Sequence, residues 1–211
     1  MAEYRLYCMA QSGNAYKAAL MLALCQADWE PRFVDYFNGE TKTAAYREIN
    51  EMGEVPVLEH GTLRLCQSGV ILDYLAEQLG RFGGETPEQR REILRWLLFD
   101  NHKLTSYTAT LRFMLEFGKV GDTPVTQFLR ERSNAALSVL DSRLSKVDFV
   151  IGPEPTIADV SLCGYLFFQE EFGVTWESDF PAIGRWLERI AAMPGWAHPY
   201  DLMPGHPLPG A

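Results

Sequence analysis

One short stretch constrains the fold more than any other: Met52–Leu58, followed closely by Cys66–Gly69. Apolar residues on either side of His60–Thr62 predict two short strands joined by a turn, because the turn carries the glycine. Pro56 heads the first strand and lacks an N–H, so it cannot donate within a ladder. The backbone of Val55 is therefore a candidate for pairing with something other than its own sheet.

A helical pattern begins directly after this hairpin, with Gln67 and Ser68 at its N-terminal edge. Backbone N–H groups at a helix start attract carboxylates and other anions. An open strand edge beside an anion pocket would form two halves of a site for a small peptide-like ligand. For these residues alone, a structural turn followed by an ordinary serine N-cap is the simpler interpretation.

The composition excludes several classes of function. The 211-residue chain has 19 Lys and Arg against 28 Asp and Glu, a net charge of −9, which argues against binding to nucleic acid or anionic membranes. No apolar stretch approaches the roughly 20 residues that span a bilayer, and no secretory signal is visible. The four cysteines are scattered and the four histidines lack metal-ligand spacing. This favours free thiols in a reducing cytoplasm and predicts no metal site.

The first eighty residues follow the order β-α-β-α-β-β-α, which is that of a thioredoxin-type domain. Before the hairpin, the predicted elements are a strand over Tyr4–Cys8, a helix through residues 15–23, a strand from Trp29 to Tyr36 and a short helix over Ala44–Ile49. A glycine-rich break over residues 79–85 follows the last helix. We therefore expect a thioredoxin-like domain over residues 1–80.

Residues 86–211 are predicted to form an all-helical domain. Thr86, Pro87 and Gln89 combine an N-cap, a proline at the first helical position and a capping box, and this helix is expected to reach Phe117. A second helix begins after Thr123, with one apolar stripe formed by Val125, Phe128, Leu129, Ala136, Val139, Leu140 and Leu144.

Two further helices complete this domain. Thr156–Asp159 is a third N-terminus, in which the carboxylate can reach back to the threonine backbone. The helix it opens is apolar on most sides through Val160, Leu162, Cys163, Leu166 and Phe167. Another helix carries Ile183, Trp186, Leu187 and Ile190. The tail from Pro199 is rich in proline and glycine, which predicts an extended segment.

Taken in order, these features resemble the cytosolic glutathione transferases over nearly the whole chain. The segments that carry the resemblance are Ser12–Asn14, Met52–Leu58, Gln67–Leu75 and Thr156–Asp159. The Ser-Gly-Asn start is similar to that of bacterial members related to the serine-using theta and zeta classes. The resemblance implies an α/β thioredoxin-like N-terminal domain followed by an all-α C-terminal domain. It also implies a cytoplasmic homodimer with no tightly bound cofactor, which uses glutathione as co-substrate and conjugates it to a small hydrophobic electrophile.

The resemblance also assigns roles to single residues. Pro56 would be the cis-proline of the family, and Val55 would present its N–H and C=O to the cysteinyl backbone of glutathione. Gln67 and Ser68 would hold the γ-glutamyl carboxylate and amine at the helix start. Lys42 would pair with the glycine carboxylate, and a solvated surface lysine is an equal alternative.

Ser12 carries the chemistry that the resemblance implies. Its hydroxyl would donate to the glutathione sulfur and favour the thiolate, with Asn14 as a second donor within reach. Tyr7 is one rival, because some classes of the family place a catalytic tyrosine at the end of the first strand. Cys8 is the other, through a mixed disulfide with glutathione, although a buried core thiol is the favoured interpretation.

This sequence departs from the family pattern near the expected site. Glu51 follows Asn50 where a proline is usual, Glu54 stands where a neutral or basic residue is frequent, and Gln67 replaces a common glutamate. If the side chains of Glu51 and Glu54 pointed inward, they would weaken the binding of glutathione, which has two carboxylates. At the surface they would have little effect.

The second substrate is left open by the sequence. Tyr107, Phe113, Met114 and Phe117 lie on the helix expected to line an electrophile pocket between the domains, but their spacing favours core packing. Two function classes remain. One is a glutathione transferase, with glutathione-dependent peroxidase or thiol transferase activity as a variant. The other is a non-catalytic binding or interaction protein on the same scaffold.

Overall fold

A computed structural model of the chain describes residues 2–208, which form two compact units. The first unit comprises residues 2–81 together with 193–208, and the second comprises residues 82–192. The first unit contains strands β1 (Tyr4–Cys8), β2 (Trp29–Phe33), β3 (Val57–His60) and β4 (Leu63–Cys66), helices α1 (Gly13–Leu24), α2 (Ala44–Ile49) and α3 (Ser68–Leu79), and a 3-10 turn over Glu40–Lys42. The expected β-α-β-α-β-β-α order is confirmed.

The four strands form one mixed sheet in the order β2-β1-β3-β4. β1 runs parallel to β2 and antiparallel to β3, which is antiparallel to β4. Pro31 lies in the edge strand β2, where a missing N–H is tolerated. Successive side chains of β1 point to opposite faces. Tyr7 therefore packs against Tyr46 of α2, whereas Tyr4 contacts His60, which is hydrogen-bonded to Tyr74 of α3.

The second unit is helical throughout its described length. Its elements are α4 (Pro87–Phe99), a π-helical segment (Asp100–Leu104), α5 (Thr105–Arg112), a second π-helical segment (Phe113–Phe117), α6 (Pro124–Leu144), α7 (Ile157–Leu162), a 3-10 segment (Leu166–Glu171), α8 (Trp176–Asp179) and α9 (Pro181–Ala191). The capping boxes expected at Thr86 and Thr156 are both present. No helix among residues 2–208 combines the length and apolarity needed to cross a membrane.

The predicted stripe of α6 is wrong in part. Leu129, Ala136, Leu140 and Leu144 are buried as expected, whereas Val125, Phe128 and Val139 are each about half exposed, at 55%, 49% and 50%. The buried face includes Thr126 and Ser133 instead, and the Ser133 hydroxyl lies 3.0 Å from that of Thr108. Because these hydroxyls find partners, the core face is rotated away from the apolar stripe.

Three other elements differ from expectation. β2 ends at Phe33 and not at Tyr36, and the helix that follows Thr156 ends at Leu162, before a separate 3-10 segment. The segment after residue 192 packs with the first unit, although the expected helical domain extended to residue 211. Within it, α10 (Pro199–Leu202) forms a short helix where an extended tail was expected.

Candidate functional site

Four chain segments meet at one end of the strands of the sheet in the first unit. Tyr7 near the end of β1 is opposite Val57, the first residue of β3, and Val57 is opposite Cys66, the last residue of β4. Cys8 and Phe33, the ends of the parallel strands β1 and β2, are also partners. The loops that follow β1, β2 and β4, and the loop that precedes β3, therefore emerge side by side.

The loop before β3 presents an unpaired backbone. The Val55–Pro56 peptide bond is cis, as the resemblance implied, and Pro56 is buried. Among residues 2–208, neither the N–H nor the C=O of Val55 has a hydrogen-bond partner. The carbonyl oxygen of Glu54, one residue earlier, accepts from the Tyr46 hydroxyl at 3.0 Å and from Asn50 Nδ2 at 2.9 Å. Helix α2 thus fixes the peptide group that precedes Val55.

Gly53 brings the loop after β2 against the same segment. Its φ is +65°, and an added Cβ would lie 2.8 Å from the carbonyl oxygen of Thr41, so a larger residue would separate the two loops. Lys42 follows Thr41, and its side chain is exposed, with no ion-pair partner in the described chain. Glu51 and Glu54 are also exposed. Their carboxylates therefore lie in water, where their effect on a bound anion is small.

The start of α3 provides the anion-binding element of the site. Gln67 occupies the N-cap position with φ +67° and makes no side-chain cap, a backbone conformation that costs a non-glycine residue about 1–3 kcal/mol. No described residue accepts from the N–H groups of Ser68, Gly69 or Val70. α1, α4 and α6 are each capped by a side chain at this position. The first turn of α3 is therefore open to an external acceptor.

Ser12 is the N-cap of α1. Its Oγ accepts a 3.1 Å hydrogen bond from the N–H of Ala15, and its side chain is partly exposed. This contact uses an oxygen lone pair and leaves the hydroxyl proton available for a further acceptor. The Ser68 hydroxyl lies 3.5 Å from Asn14 Oδ1. The N-termini of α1 and α3 are therefore adjacent, and they place Ser12, Asn14 and Ser68 close together.

The two rivals of Ser12 are poorly suited to activating a thiol. Tyr7 packs among Val34, Tyr46 and Val57, and its hydroxyl lies 3.3 Å from a carboxylate oxygen of Glu59. Burial, followed by the nearby Glu59 charge, raises the pKa of Tyr7, so the neutral hydroxyl is favoured.

Cys8 is fully buried, as the favoured interpretation expected. Burial raises the pKa of its thiol to about 12, which disfavours the reactive thiolate. None of the four cysteines forms a disulfide, and among residues 2–208 no three His, Cys, Asp or Glu side chains cluster as a metal site would require.

The sequence did not point to Tyr46 and Asn50, although they hold the peptide before Val55. Tyr46 lies on α2, and Asn50 is the extended residue that caps the C-terminus of this helix four positions later. That spacing was the available signal, but a tyrosine and an asparagine one turn apart occur on many surface helices. Their role depends on the position of Glu54, which only the folded loop shows.

In the helical unit, the favoured core interpretation of the aromatic residues is wrong for Phe113, and the others are partly buried. No residue of the π-helical segment Phe113–Phe117 is buried, and Phe113 is 46% exposed. The rings of Phe113 and Phe117 lie 5.9 Å apart. Tyr107 is partly exposed. π-helical segments are frequent at functional sites, and this one exposes Phe113, while the ring of Phe117 lies 5.2 Å from the guanidinium carbon of the buried Arg112.

Comparisons with known proteins agree with this arrangement. Residues 2–77 match the model of the glutathione S-transferase N-terminal domain, and residues 102–194 match that of the C-terminal domain. The chain belongs to the glutathione S-transferase family. A crystal structure of a family member from Pseudomonas fluorescens is 30% identical, covers 95% of this chain and 100% of its own, and gives a TM-score of 0.89.

Two other family members extend this picture. Glutathione S-transferase F14 of Arabidopsis thaliana is 29% identical over 99% of this chain and 89% of its own length. A glutathione transferase from Burkholderia graminis, solved with two glutathione molecules bound per subunit, has a TM-score of 0.81 over 92% of this chain and 85% of its own. At 23% identity, that likeness establishes the shared fold.

Proposed function

We propose that this family member is a glutathione transferase that binds glutathione at the end of its sheet where these loops meet and activates the thiol through Ser12. One observation carries the proposal: the unpaired backbone of Val55, the uncapped start of α3 and the Ser12 hydroxyl lie together. Glutathione acts as a co-substrate that is consumed in each turnover, and not as a tightly bound cofactor.

The backbone of Val55 supports binding of a peptide. An extended ligand can pair with an exposed strand edge through its main chain, as one residue of an added strand. The cysteinyl residue of glutathione offers one N–H and one C=O, which match the unpaired C=O and N–H of Val55. Because α2 fixes the preceding peptide group, this edge is organised before the ligand arrives.

The two carboxylates of glutathione have separate partners in this proposal. The γ-glutamyl carboxylate accepts from the open N–H groups at the start of α3, where the helix dipole favours negative charge. Gln67 and Ser68 offer side-chain polar groups to the same end of the ligand. Lys42 pairs with the glycine carboxylate, since the Thr41–Gly53 contact holds its loop beside Val55.

Ser12 supplies enough free energy to ionise the thiol. A thiol with a pKa of about 8.5 is only a few per cent ionised at neutral pH. Lowering that pKa by about two units requires about 2.7 kcal/mol. A hydrogen bond to a charged group supplies about 1.5–3 kcal/mol, and the adjacent start of α1 adds a favourable field.

The reaction that follows is a nucleophilic substitution or addition. The thiol proton leaves to solvent, and the thiolate, held by the Ser12 hydroxyl, attacks an electrophilic carbon to form a C–S bond. With an aryl halide, the halide departs with its electron pair. The exposed Phe113 and the partly buried Phe117 beside it are the aromatic residues that we propose for contact with a hydrophobic electrophile.

The active form is a cytoplasmic homodimer in this proposal. Exposed apolar side chains occur on both units: Leu63 and Val70 on the first, and Leu94 and Leu98, one turn apart on α4, on the second. Such groups favour burial against another surface. We expect a Leu94→Glu/Leu98→Glu variant to sediment as a monomer. A Val139→Glu variant on α6 is a matched control. If the Leu94→Glu/Leu98→Glu variant formed a dimer with the wild-type dissociation constant, this assignment would be contradicted.

The role of Ser12 is tested by two substitutions. Ser12→Ala removes both the cap of α1 and the hydroxyl donor, whereas Ser12→Thr retains both. We expect Ser12→Ala to lower kcat/KM for an aryl halide by about 10–100-fold at neutral pH, because each unit of thiol pKa is about tenfold in ionisation. Ser12→Thr should retain most of the activity.

Calorimetric titration with glutathione separates binding from chemistry. Both variants should bind glutathione with nearly the wild-type affinity, since Val55 and α3 are unchanged. If Ser12→Ala kept the wild-type turnover rate, a residue other than Ser12 would activate the thiol. If the wild-type protein showed no binding at millimolar glutathione, a non-catalytic interaction protein would be favoured instead.

A further inference from the structure

The turn that carries Ser12 is tied to a distant part of the chain. The turn closes when the N–H of Ser12 donates to the carbonyl of Met9 at 3.0 Å. Its two central residues both donate to consecutive carbonyls near the C-terminus. The N–H of Ala10 bonds to Pro204 O at 2.8 Å, and Gln11 Nε2 bonds to Gly205 O at 2.6 Å.

The path of this C-terminal segment is fixed by close packing against β2. Gly205 has φ +98°, and an added Cβ would overlap the ring of Phe33, the last residue of β2. The side chain of Met203 is buried, at 4% exposed. Tyr200 and His206 stack with their ring centroids 3.7 Å apart. These contacts pack residues 203–206 where residues 204–205 meet the turn.

A second set of contacts anchors the start of the segment on α1. Gly195 has φ +94°, and an added Cβ would overlap the carbonyl of Ala23 near the end of α1. The hydroxyl of the fully buried Tyr16 donates to Ala197 O at 2.9 Å. The segment therefore contacts α1 along its length and then reaches the turn before it.

We propose that residues 195–208 form a strap that positions the Ser12 hydroxyl for thiol activation, with Gln11 as the positioning residue. The inference rests on the proposed function of Ser12. The family match ends at residue 194, so the strap lies beyond it. Gln11 is 5% exposed, and its link to Gly205 is therefore protected from competing water.

The strap acts on the geometry of one hydrogen bond. A hydroxyl stabilises a thiolate only when it lies at hydrogen-bond distance and points at the sulfur. When Ala10 and Gln11 are held by the strap, Ser12 is held at both ends, by the turn and by α1. Without the strap, the turn samples other positions, and the pKa of the bound thiol rises toward that of free glutathione.

Four variants test the strap. Gln11→Leu removes the donor and keeps the volume, and Gly205→Ala displaces the strap without substituting any residue of the turn. Gly61→Ala is the matched control, because Gly61 has φ +59° but no atom near an added Cβ. Tyr16→Phe removes a strap contact remote from the turn. The readouts are amide hydrogen exchange at residues 10–12, and the pH titration of the thiolate absorbance of bound glutathione.

We expect Gln11→Leu and Gly205→Ala to accelerate exchange at residues 10–12 and to raise the pKa of the bound thiol by about one unit. That shift corresponds to about a tenfold loss of kcat/KM at acidic pH, with convergence toward the wild type at alkaline pH. Gly61→Ala and Tyr16→Phe should leave the thiol pKa unchanged.

Two results would contradict the proposal that the strap positions Ser12. Unchanged exchange at residues 10–12 in Gln11→Leu and Gly205→Ala would show that the turn is rigid without its contacts to the strap. Faster exchange with an unchanged thiol pKa would show a purely structural contact. Ser12→Ala is measured in parallel. If it leaves the thiol pKa unchanged, the proposed function of Ser12 fails, and the exchange data still report separately whether the strap holds the turn.

Discussion

The hydroxyl of Tyr46 donates a 3.0 Å hydrogen bond to the carbonyl oxygen of Glu54, one residue before the unpaired backbone of Val55. The same oxygen accepts from Asn50 Nδ2, so one side chain of α2 and the residue that caps its C-terminus hold one peptide group. Neither residue needs to touch the ligand. Both act by fixing the plane of the peptide from which the Val55 N–H projects.

Removing either donor should weaken glutathione binding modestly, and removing both should weaken it more than additively. Tyr46→Phe keeps the buried ring and loses about 0.5–1.5 kcal/mol of hydrogen bonding, so we expect a few-fold weaker affinity by calorimetry. Asn50→Ala should behave similarly. In the double variant the Glu54 carbonyl loses both donors, and the two effects should be coupled.

Tyr74→Phe is the control for this cycle, since it removes a hydrogen bond to His60 elsewhere in the same unit. Its affinity for glutathione should match the wild type. If the losses of binding free energy in Tyr46→Phe and Asn50→Ala simply added in the double variant, the two donors would not act together in orienting Val55.

Lys42 should contribute an electrostatic, salt-dependent part of the affinity. Its ammonium group is exposed and has no ion-pair partner among residues 2–208, so its attraction for a carboxylate is screened by salt. We expect Lys42→Gln to weaken glutathione binding about two- to fivefold at low ionic strength, which is the range of an exposed ion pair. The difference should disappear near 1 M salt.

A chemical control locates the carboxylate that Lys42 recognises. Glutathione esterified at its glycine carboxylate should bind to wild type and Lys42→Gln with equal affinity. Lys119→Gln, at an exposed lysine paired with Glu116, should have no effect. A loss of affinity in Lys42→Gln that persists in high salt and with the ester would assign Lys42 a structural role.

Cys8 should be unreactive in the folded protein. Burial raises the pKa of its thiol to about 12, so at pH 8 about one molecule in ten thousand carries the thiolate. An alkylating reagent should modify the partly exposed Cys25 and Cys66 and leave the buried Cys8 intact until the protein unfolds. Peptide mass mapping with and without guanidinium measures this. Rapid modification of native Cys8, or its mixed disulfide with glutathione, would restore it as a rival to Ser12.

The elements that the sequence predicted well have strong local signals. The hairpin, the start of α3 and the capping boxes at Thr86 and Thr156 depend on residues within four positions of one another. The pairing of β3 with β4 follows from the hairpin, whereas β1 pairs with β3 although β2 lies between them in the chain. The grouping of Ser12, Val55 and Ser68 was therefore accessible through the family resemblance, and not from strand order alone.

The parts that were not predicted depend on distant contacts. Ala10 and Gln11 bond to backbone carbonyls 194 positions away in the chain, and a backbone carbonyl has no sequence signature. The rotated core face of α6 depends on Ser133 finding the Thr108 hydroxyl on another helix. In both cases a polar group is buried only because a remote partner satisfies it.

The last prediction concerns Asp159, which is buried at the start of α7 in the helical unit. One carboxylate oxygen accepts from the Val150 N–H and from Trp186 Nε1, at 2.9 and 3.0 Å. The other accepts from the Thr156 N–H at 2.9 Å and lies 3.3 Å from its hydroxyl. Burial outweighs these hydrogen bonds and raises the pKa of Asp159 to about 6.

This pKa shift gives stability a definite dependence on pH. The pKa in the unfolded chain is about 3.9, so between about pH 4 and 6 the folded state binds a proton that the unfolded state lacks. The contribution of Asp159 to the free energy of unfolding is therefore largest below pH 4, and it falls by about 2–3 kcal/mol as pH rises to 6. Above pH 6 it is constant.

Asp159→Asn should remove this slope and lower the stability at all pH values. Its NH2 group must face N–H or O–H donors in either orientation, and each donor left unsatisfied costs about 1–3 kcal/mol. Urea unfolding from pH 4 to 8 measures both effects, with Asp122→Asn at an exposed position as the control. If Asp159→Asn kept the wild-type slope between pH 4 and 6, another group would be responsible for it, and Asp159 would be ionised throughout this range.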